Sequence, residues 1–220
     1  MPSLLHRTRR FIACLAVLTP LAAASAAQAS GIPVPTMTLA ASTPHNVCGQ
    51  RVIEHPFAQY GDVANYFLVK QGDLSGSAYE WDLGGGALVA DNNPVSLHGE
   101  EQVALGLSEG NSATGAMVCV GINDPTMRFF VRNTGSAAGT LKVEVVYEDS
   151  NYATHSLPLG VLTSADAGSA WTPSPALELA APLVSLLDGG LTPVWFRFTA
   201  EGTGSAWVVD DVYVDPYGKG

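Results

Sequence analysis

The stretch "TLKVEVVYED", residues 140–149, alternates two sets of side chains along its whole length. One set is apolar and comprises Leu141, Val143, Val145 and Tyr147; the other is mostly charged and comprises Lys142, Glu144, Val146 and Glu148. Because consecutive side chains of a strand point to opposite faces, this period of two predicts a β-strand. The apolar set is the face expected to enter a core.

Two further stretches, "MRFFVRN" (127–133) and "VWFRFTAEG" (194–202), show the same alternation. The first sets Met127, Phe129 and Val131 against Arg128, Phe130 and Arg132; the second sets Val194, Phe196 and Phe198 against Trp195, Arg197 and Thr199. Elsewhere after Cys48, short apolar runs are separated by clusters of Gly, Asn, Asp, Pro and Ser, which is typical of a sandwich. The sequence therefore predicts one all-β domain over 48–217, a two-sheet antiparallel β-sandwich.

The N-terminal residues show the order of an export signal. Three arginines precede the apolar run 11–24, and Ala27-Gln28-Ala29 supplies a cleavage site of small residues. A transmembrane anchor is the alternative, but Pro20 and the small-residue tail leave too few strongly apolar residues to span a bilayer. We predict a signal peptide over 1–29, a flexible tail over 30–47, and a mature protein that is secreted or cell-envelope associated without membrane insertion.

The charge balance excludes some partners. The formal net charge is −10, and all 20 acidic residues follow the predicted signal. A chain this acidic has no basic patch with which to hold phosphates, so nucleic acid and anionic lipid are excluded as expected partners. Neutral ligands and divalent cations remain compatible with it.

The cysteine count predicts one disulfide. Cys14 leaves with the signal, so Cys48 and Cys119 remain as an even pair in an exported chain. The alternative is two free buried thiols. Two cysteines without a matching pair of histidines do not make a zinc site.

The pentapeptide "GLSEG", 106–110, matches the pattern of a nucleophile elbow. That pattern works only on a sharp turn from a strand into a helix, whereas the residues that follow it resemble a loop and another strand. We therefore predict no catalytic residue, and a protein that is not an enzyme.

Aromatic and arginine side chains share the polar faces of two predicted strands. The expected ligand-facing set is Trp195, Phe130, Arg128, Arg132 and Arg197. If these faces belong to one curved sheet, they offer flat rings and guanidinium groups to a sugar. The alternative is that a loop covers the face, since large rings usually fill cores.

The stretch "AWVVDDVYVDP", 206–216, places two adjacent acids in an apolar strand. Without a bulge, Asp210 shares the core face with Val208, Val212 and Val214, and Asp211 faces the other way. A buried carboxylate needs a partner, so either a cation such as calcium or a set of hydrogen-bond donors must satisfy Asp210.

"GDLSGSAYEWDLGGGALV" (72–89), together with "SAWVVDDVYVDP" (205–216), resembles the two ends of a galactose-binding-like jelly roll of the carbohydrate-binding-module type. The stretch between them is similar to a family of secreted bacterial proteins without assigned function. The resemblance implies that the two ends lie close together, and that Asp73, Asp210 and Asp211 hold a structural calcium ion. Ser75 stands where the family has a glutamate, which leaves one charged ligand fewer.

Taken together, these features predict a secreted, non-catalytic binding module for polysaccharide or cell-envelope glycan. A structural or adhesive cell-surface protein that binds other proteins is the alternative, and a hydrolase is the remote one. One sandwich fold hosts many functions, so the choice depends on the site.

Overall fold

The computed structural model describes residue 48 and residues 51–75, 78–95, 97–99, 102–179 and 190–217. The predicted signal peptide (1–29) and tail (30–47) lie outside the described residues. Within the described residues, no helix is long and apolar enough to cross a membrane.

Twelve strands, numbered in chain order, are found in the described residues, and they form two sheets. The seven-stranded first sheet contains β1 (Phe67–Leu68), β2 (Ala87–Val89), β3 (Ala104–Ser108), β6 (Thr126–Asn133), β9 (Thr172–Pro173), β10 (Leu177–Glu178) and β12 (Ala206–Asp215). The five-stranded second sheet contains β4 (Ser112–Thr114), β5 (Val118–Val120), β7 (Thr140–Glu148), β8 (Thr154–Leu162) and β11 (Thr192–Glu201). The protein is thus an all-β, two-sheet antiparallel sandwich of the jelly-roll type, as predicted.

The strand order places the longest strands at the centre of each sheet. The first sheet runs β10-β6-β12-β3-β2, with β9 also paired to β6 and β1 to β12. The second runs β4-β11-β7-β8, with β5 also paired to β11. The strands of these pairs are antiparallel, which lets each sheet keep one face in the core and the other outside.

The main core lies between the sheets, and the alternation in the sequence locates it correctly. Leu141, Val143 and Val145 of β7, Met127, Phe129 and Val131 of β6, and Val194, Phe196 and Phe198 of β11 are all buried there. Tyr147 packs against the same cluster from a partly buried position. Burial of these side chains is the main force that holds the two sheets together.

The outer face of the first sheet is covered by chain. Phe57, Tyr66, Phe130 and Tyr213 form a second buried cluster there, against which Ala64, Leu68, Val95 and Trp171 pack. We call residues 51–66, residues 91–95 and Trp171 the cover. The cover includes the 3-10 turn Ala58–Tyr60, and its bridge between Glu54 and Tyr66 folds it back on itself.

The closing strand β12 contains a β-bulge at Asp211. Asp210 pairs with Phe130 and Tyr213 with Arg128, so three steps along β12 match two steps along β6. Asp211 has a φ of 49°, in the left-handed region that Asp tolerates better than most residues. One extra residue in β12 therefore shifts the side-chain alternation of everything after it.

This bulge corrects the predicted orientation of the acidic pair. The core face of β12 carries Trp207, Val209, Val212 and Val214. Asp210 instead lies beside Phe130 on the covered face, and both Asp210 and Asp211 are fully buried. Asp210 shares a face with Val208 as predicted, but that face is the covered one. The prediction that the same face carries Val212 and Val214 is wrong, because the bulge reverses the parity between Asp210 and Val212.

Two other predictions are resolved by local structure. Cys48 and Cys119 form a disulfide with their Cα atoms 5.3 Å apart, which ties the start of the described chain to β5. Ser108 ends β3, and the turn after it leads into β4 rather than into a helix. The "GLSEG" stretch therefore does not form a nucleophile elbow.

Candidate functional site

An open groove of about 310 Å³ lies on the outer face of the second sheet. Its lining residues are Glu80, Asp82, Thr114, Gly115, Val146, Glu148, Thr154, Trp195 and Arg197. They come from β8, β7, β11, β4 and the segment 80–82, which bridges to β4. These elements are neighbours across the sheet, so the groove crosses several strands rather than following one.

Trp195 provides a partly exposed ring in this groove. It pairs directly with Val146 of β7, and both side chains line the groove. The neighbours of Trp195 in β11, Val194 and Phe196, are buried in the core, so alternation turns the indole outward. A flat aromatic face beside an apolar side chain is a surface on which another flat apolar face can stack.

Arg197, two residues further along β11, is held by an acid of the neighbouring strand. Its Nε donates to Oε2 of Glu144 at 3.1 Å, and the two residues are directly opposed in the register. Oε1 of Glu144 accepts a hydrogen bond from Ser156 Oγ at 3.1 Å and lies 3.1 Å from Nζ of Lys142. The guanidinium is therefore fixed in place before any ligand arrives.

Glu144 remains ionised in this network. Burial acts to raise the pKa of its carboxyl, but the hydrogen bonds and charges of Lys142 and Arg197 outweigh burial and hold the pKa below its ordinary value. The residue is only 7% exposed. It is a buried anion with its partners in place.

The segment 80–82 closes the far end of the groove, and Trp81 anchors it. The Trp81 ring is buried and stacks on Phe198 with 6.2 Å between ring centroids, and its Nε1 donates to the Gln71 carbonyl at 3.0 Å. Because Trp81 points into the core, its neighbours Glu80 and Asp82 are turned towards the groove.

Both acids of this segment have fixed partners. Glu80 forms an ion pair with Lys70. Oδ1 of Asp82 accepts a hydrogen bond from the backbone N–H of Gly84 at 3.2 Å, and the Asp82 backbone pairs with Thr114 in both directions. The two carboxylates therefore sit on an ordered edge beside β4.

The structure divides the predicted ligand-facing set between two sheets. Trp195 and Arg197 lie together in the groove, whereas Arg128, Phe130 and Arg132 lie on the outer face of the first sheet. The prediction of one shared ligand face is wrong. Each strand of the set does point its aromatic and arginine side chains away from the core as predicted, but the strands β6 and β11 belong to different sheets.

Phe130 has no exposed surface, so its predicted role as a ligand contact is wrong. Its ring packs against Phe57 and Tyr60 of the cover, with centroids 5.1 and 5.9 Å away. The physical reason is that the cover supplies enough aromatic side chains to bury the Phe130 ring completely.

The two arginines beside Phe130 hold the cover in place. Arg128 forms an ion pair with Asp62 and donates from Nε and Nη2 to the Ser174 carbonyl at 2.9 and 2.6 Å. Arg132 forms an ion pair with Asp91, and its guanidinium lies 5.7 Å from the centroid of Trp171. Both guanidinium groups are thus paired within the protein and lie on the other sheet from the groove, and their predicted ligand contacts stay a prediction.

The two segments that carry the predicted calcium ligands lie next to each other, but their carboxylates have different hydrogen-bond partners. Val212 exchanges backbone hydrogen bonds with Gly72 and Val69, so the 72–89 stretch does meet the closing strand, as the resemblance implied. Nδ2 of Asn93 donates to both Asp210 Oδ2 and Asp211 Oδ2 at 2.9 Å.

The carboxylate of Asp73 is bonded elsewhere, to Ser75. Its Oδ2 accepts the Ser75 hydroxyl at 2.8 Å, and its Oδ1 accepts the Ser75 backbone N–H at 3.2 Å. In the part of the chain that the structure describes, no three acidic, His or Cys side chains are grouped as metal ligands. Asn93 thus joins Asp210 and Asp211 by hydrogen bonds, and calcium binding stays a prediction.

Several groove residues were not singled out as ligand contacts from the sequence. Glu80 and Glu148 had the pattern of solvated strand residues, and nothing local distinguished Asp82 or Thr154. The signal that points to Glu80 and Asp82 is their position on either side of Trp81, an aromatic residue that a core would bury.

Comparison with known proteins gives distant structural neighbours. No protein-family model matches the chain, and no curated protein sequence is significantly similar to it. The solved structures that resemble it include the carbohydrate-binding and catalytic modules of endo-1,4-beta-D-xylanase 10B from Clostridium thermocellum, complexed with xylohexaose. That match has 13% identity and a TM-score of 0.46, and it covers 65% of this chain and 27% of that one.

Two isolated modules are also similar. A xylan-binding domain from Paenibacillus barcinonensis has 13% identity and a TM-score of 0.43, covering 64% of this chain and 88% of that one. The family 11 carbohydrate-binding module from Clostridium thermocellum, in complex with a mixed-linked tetrasaccharide, has 12% identity and a TM-score of 0.42, covering 68% and 94%. The function proposed below rests on the residues of the groove itself.

Proposed function

We propose that the protein is a non-catalytic binding module that holds a glycan in the groove of the second sheet. The observation that carries this proposal is the partly exposed Trp195 ring on an open sheet face, flanked by the fixed guanidinium of Arg197. Sugars present an apolar ring face and a rim of hydroxyl groups. An aromatic platform with hydrogen-bonding groups beside it is complementary to both.

The polar lining supports the same proposal. Thr114 and Thr154 place hydroxyl groups on either side of Trp195, and Glu148 and Asp82 add acceptor oxygens. Threonine hydroxyls donate and accept hydrogen bonds and ionised carboxylates accept them, so both can bond sugar hydroxyls without requiring a charged ligand. Side chains already held by the sheet lose little conformational entropy on binding, which favours affinity.

The ionisation of Glu144, beside the groove, fits a positioning role better than the role of the acid in glycoside hydrolysis. Hydrolysis needs a carboxylic acid whose pKa is raised so that it can protonate the leaving group. The most buried acid beside the groove, Glu144, has its pKa lowered by Lys142 and Arg197. It is suited to hold a guanidinium in place rather than to donate a proton.

The proposal includes export and a structural calcium ion. The order of arginines, apolar run and small residues in 1–29 supports export, with a mature chain that begins at Ser30. Carboxylates are the ligand type that calcium prefers, so the adjacent side chains of Asp210 and Asp211 support the calcium ion that the resemblance implies. N-terminal sequencing of the exported protein tests the first point, and melting curves in calcium and in chelator test the second.

A glycan array followed by calorimetry tests the binding function. We expect at least one class of polysaccharide to bind, and Trp195→Ala to weaken binding by at least tenfold while the melting temperature changes little. Tyr217→Ala is the matched control, because that ring is 62% exposed and lies outside the groove. An array without any bound sugar, in calcium and in chelator, would reject the proposal and favour a structural or adhesive protein.

A further inference from the structure

The charges that line the groove are mostly negative. Glu80, Asp82 and Glu148 contribute three carboxylates, against one guanidinium from Arg197. The whole chain is acidic as well, with a formal net charge of −10. A groove of this composition creates a negative potential where a ligand would lie.

Arg197, the cationic residue among those that line the groove, is neutralised by an acidic side chain of the protein itself. Arg197 uses its Nε on Glu144, and Glu144 is buried and ionised. Arginine is the usual partner of a carboxylate in a ligand, because its planar fork matches two carboxylate oxygens. Here an internal carboxylate takes that role, so the guanidinium can donate hydrogen bonds to hydroxyls but adds little net positive charge.

The nearby lysines also form ion pairs with acidic residues of the protein. Lys142 Nζ lies 3.1 Å from Glu144 Oε1 and 4.0 Å from Glu201 Oε1. Lys70 is paired with Glu80. No Lys or Arg of the described residues forms an ion pair with Asp82 or Glu148. These two carboxylates, on opposite sides of Trp195, therefore keep their charge in the groove.

We propose, on the basis of the binding function above, that the groove selects uncharged polysaccharides and rejects those that carry carboxylate or sulfate groups. Asp82 and Glu148 determine this specificity by repulsion, and Glu144 determines it by neutralising Arg197. Discrimination by placing like charges opposite an unwanted ligand is a common device in protein recognition. A neutral sugar meets the same carboxylates as hydrogen-bond acceptors and is not repelled by them.

The test compares matched oligosaccharides by calorimetry on the full mature chain. Each neutral hexose oligosaccharide that the array identifies is paired with its uronate counterpart, which has the same linkages and a carboxylate at C6. A pentose oligosaccharide, which has no C6, is paired with the same backbone carrying uronic acid side groups. We expect the uronate to bind about tenfold more weakly at low ionic strength. The difference is expected to narrow at high salt, because exposed charges are then screened.

Charge-removing variants assign the effect to residues. The double variant Asp82→Asn with Glu148→Gln should bring the two affinities to within about threefold of each other. Glu144→Gln should do the same by freeing the charge of Arg197. Glu178→Gln, an exposed acid of β10 on the first sheet, is the matched control and should leave the preference unchanged.

The outcomes separate the two proposals. Equal or tighter binding of the uronate by the wild-type chain would overturn the selection proposed here while leaving glycan binding intact. An unchanged preference in the double variant, which alters only partly exposed side chains and so should fold, would overturn the assignment to Asp82 and Glu148. If neither series binds, the proposed function itself fails, and this inference fails with it.

Discussion

Arg197 of β11 donates from Nε to Oε2 of Glu144 on β7 at 3.1 Å, across a directly opposed pair of the second sheet. The same carboxylate also holds Lys142 and Ser156. One buried acid thus fixes three donors from three adjacent strands, and it sets how the groove presents its guanidinium. Cross-strand pairs of opposite charge are a regular source of sheet stability.

Replacement of Glu144 by Gln should lower the free energy of unfolding by about 2 kcal/mol at neutral pH, because charge-assisted hydrogen bonds are lost. The folded pKa of Glu144 lies below its ordinary value of 4.5, despite the opposing effect of burial. The carboxylate therefore stabilises the native state above about pH 4.5, and this contribution is lost as pH falls through the folded pKa.

Denaturant unfolding of the wild type and Glu144→Gln between pH 3 and 7 measures this difference. We expect the gap between the two proteins to shrink at acidic pH. Glu148→Gln, on the same strand but more exposed, is the control and should change stability by less than about 0.5 kcal/mol. A gap that stays constant with pH would contradict the role given to the ionised form.

Phe130→Ala should destabilise the protein without changing the groove. The ring is fully buried between β6 and the cover, so its removal should cost about 3–5 kcal/mol. Glycan affinity of the folded fraction should stay within about twofold of wild type, since the groove lies on the other sheet. A loss of glycan affinity without a loss of stability would instead support the prediction that Phe130 contacts the ligand.

Calcium should raise the melting temperature if Asp210 and Asp211 belong to a cation site. Asp210→Ala should then abolish the rise, because a calcium site with one carboxylate fewer binds more weakly. Asp166→Asn, an exposed acid whose side chain bonds Thr163, serves as the control. Identical melting curves in calcium and in chelator would contradict the cation site and favour hydrogen bonds, including those from Asn93, as the interactions that satisfy the two acids.

Removal of the disulfide should lower stability markedly. Cys48 and Cys119 are 71 residues apart, and the loop-entropy model assigns about 4 kcal/mol to a cross-link of that length. The double variant Cys48→Ser with Cys119→Ser is to be compared with wild type under oxidising and reducing conditions. Wild type in reductant should approach the variant; equal stability of all samples would show that the cross-link contributes little.

Much of the candidate site was predictable from alternation within single strands. Trp195 and Arg197 were expected to face outward because Val194, Phe196 and Phe198 form an apolar set, and they do so. Asp82 and Thr154 could not be assigned, because they reach the groove from segments far away in the sequence. Their relation to Trp195 depends on strand order, which no local pattern contains.

The acidic pair shows the limit of the same reasoning. A period of two holds only while each residue of a strand has one partner, and a bulge at Asp211 breaks that condition. Asp210 and Asp211 therefore reach a common donor, Asn93, instead of opposite faces. The left-handed backbone conformation of Asp211 permits this arrangement. An aspartate can adopt that conformation, but its presence in the sequence does not predict it.

By itself, the sequence determined the sandwich, its core-facing side chains and the outward direction of Trp195, Arg197, Arg128 and Arg132, since these follow from alternation and burial along each strand. Only the tertiary structure decided which of the two outer faces stays open. Residues 51–66 pack their aromatic side chains over Phe130 and pair Asp62 with Arg128, whereas the corresponding face of β7 and β11 remains a groove. The cover contacts the first sheet through residues that are distant in the sequence. Which face is covered is therefore decided only when the whole chain has folded.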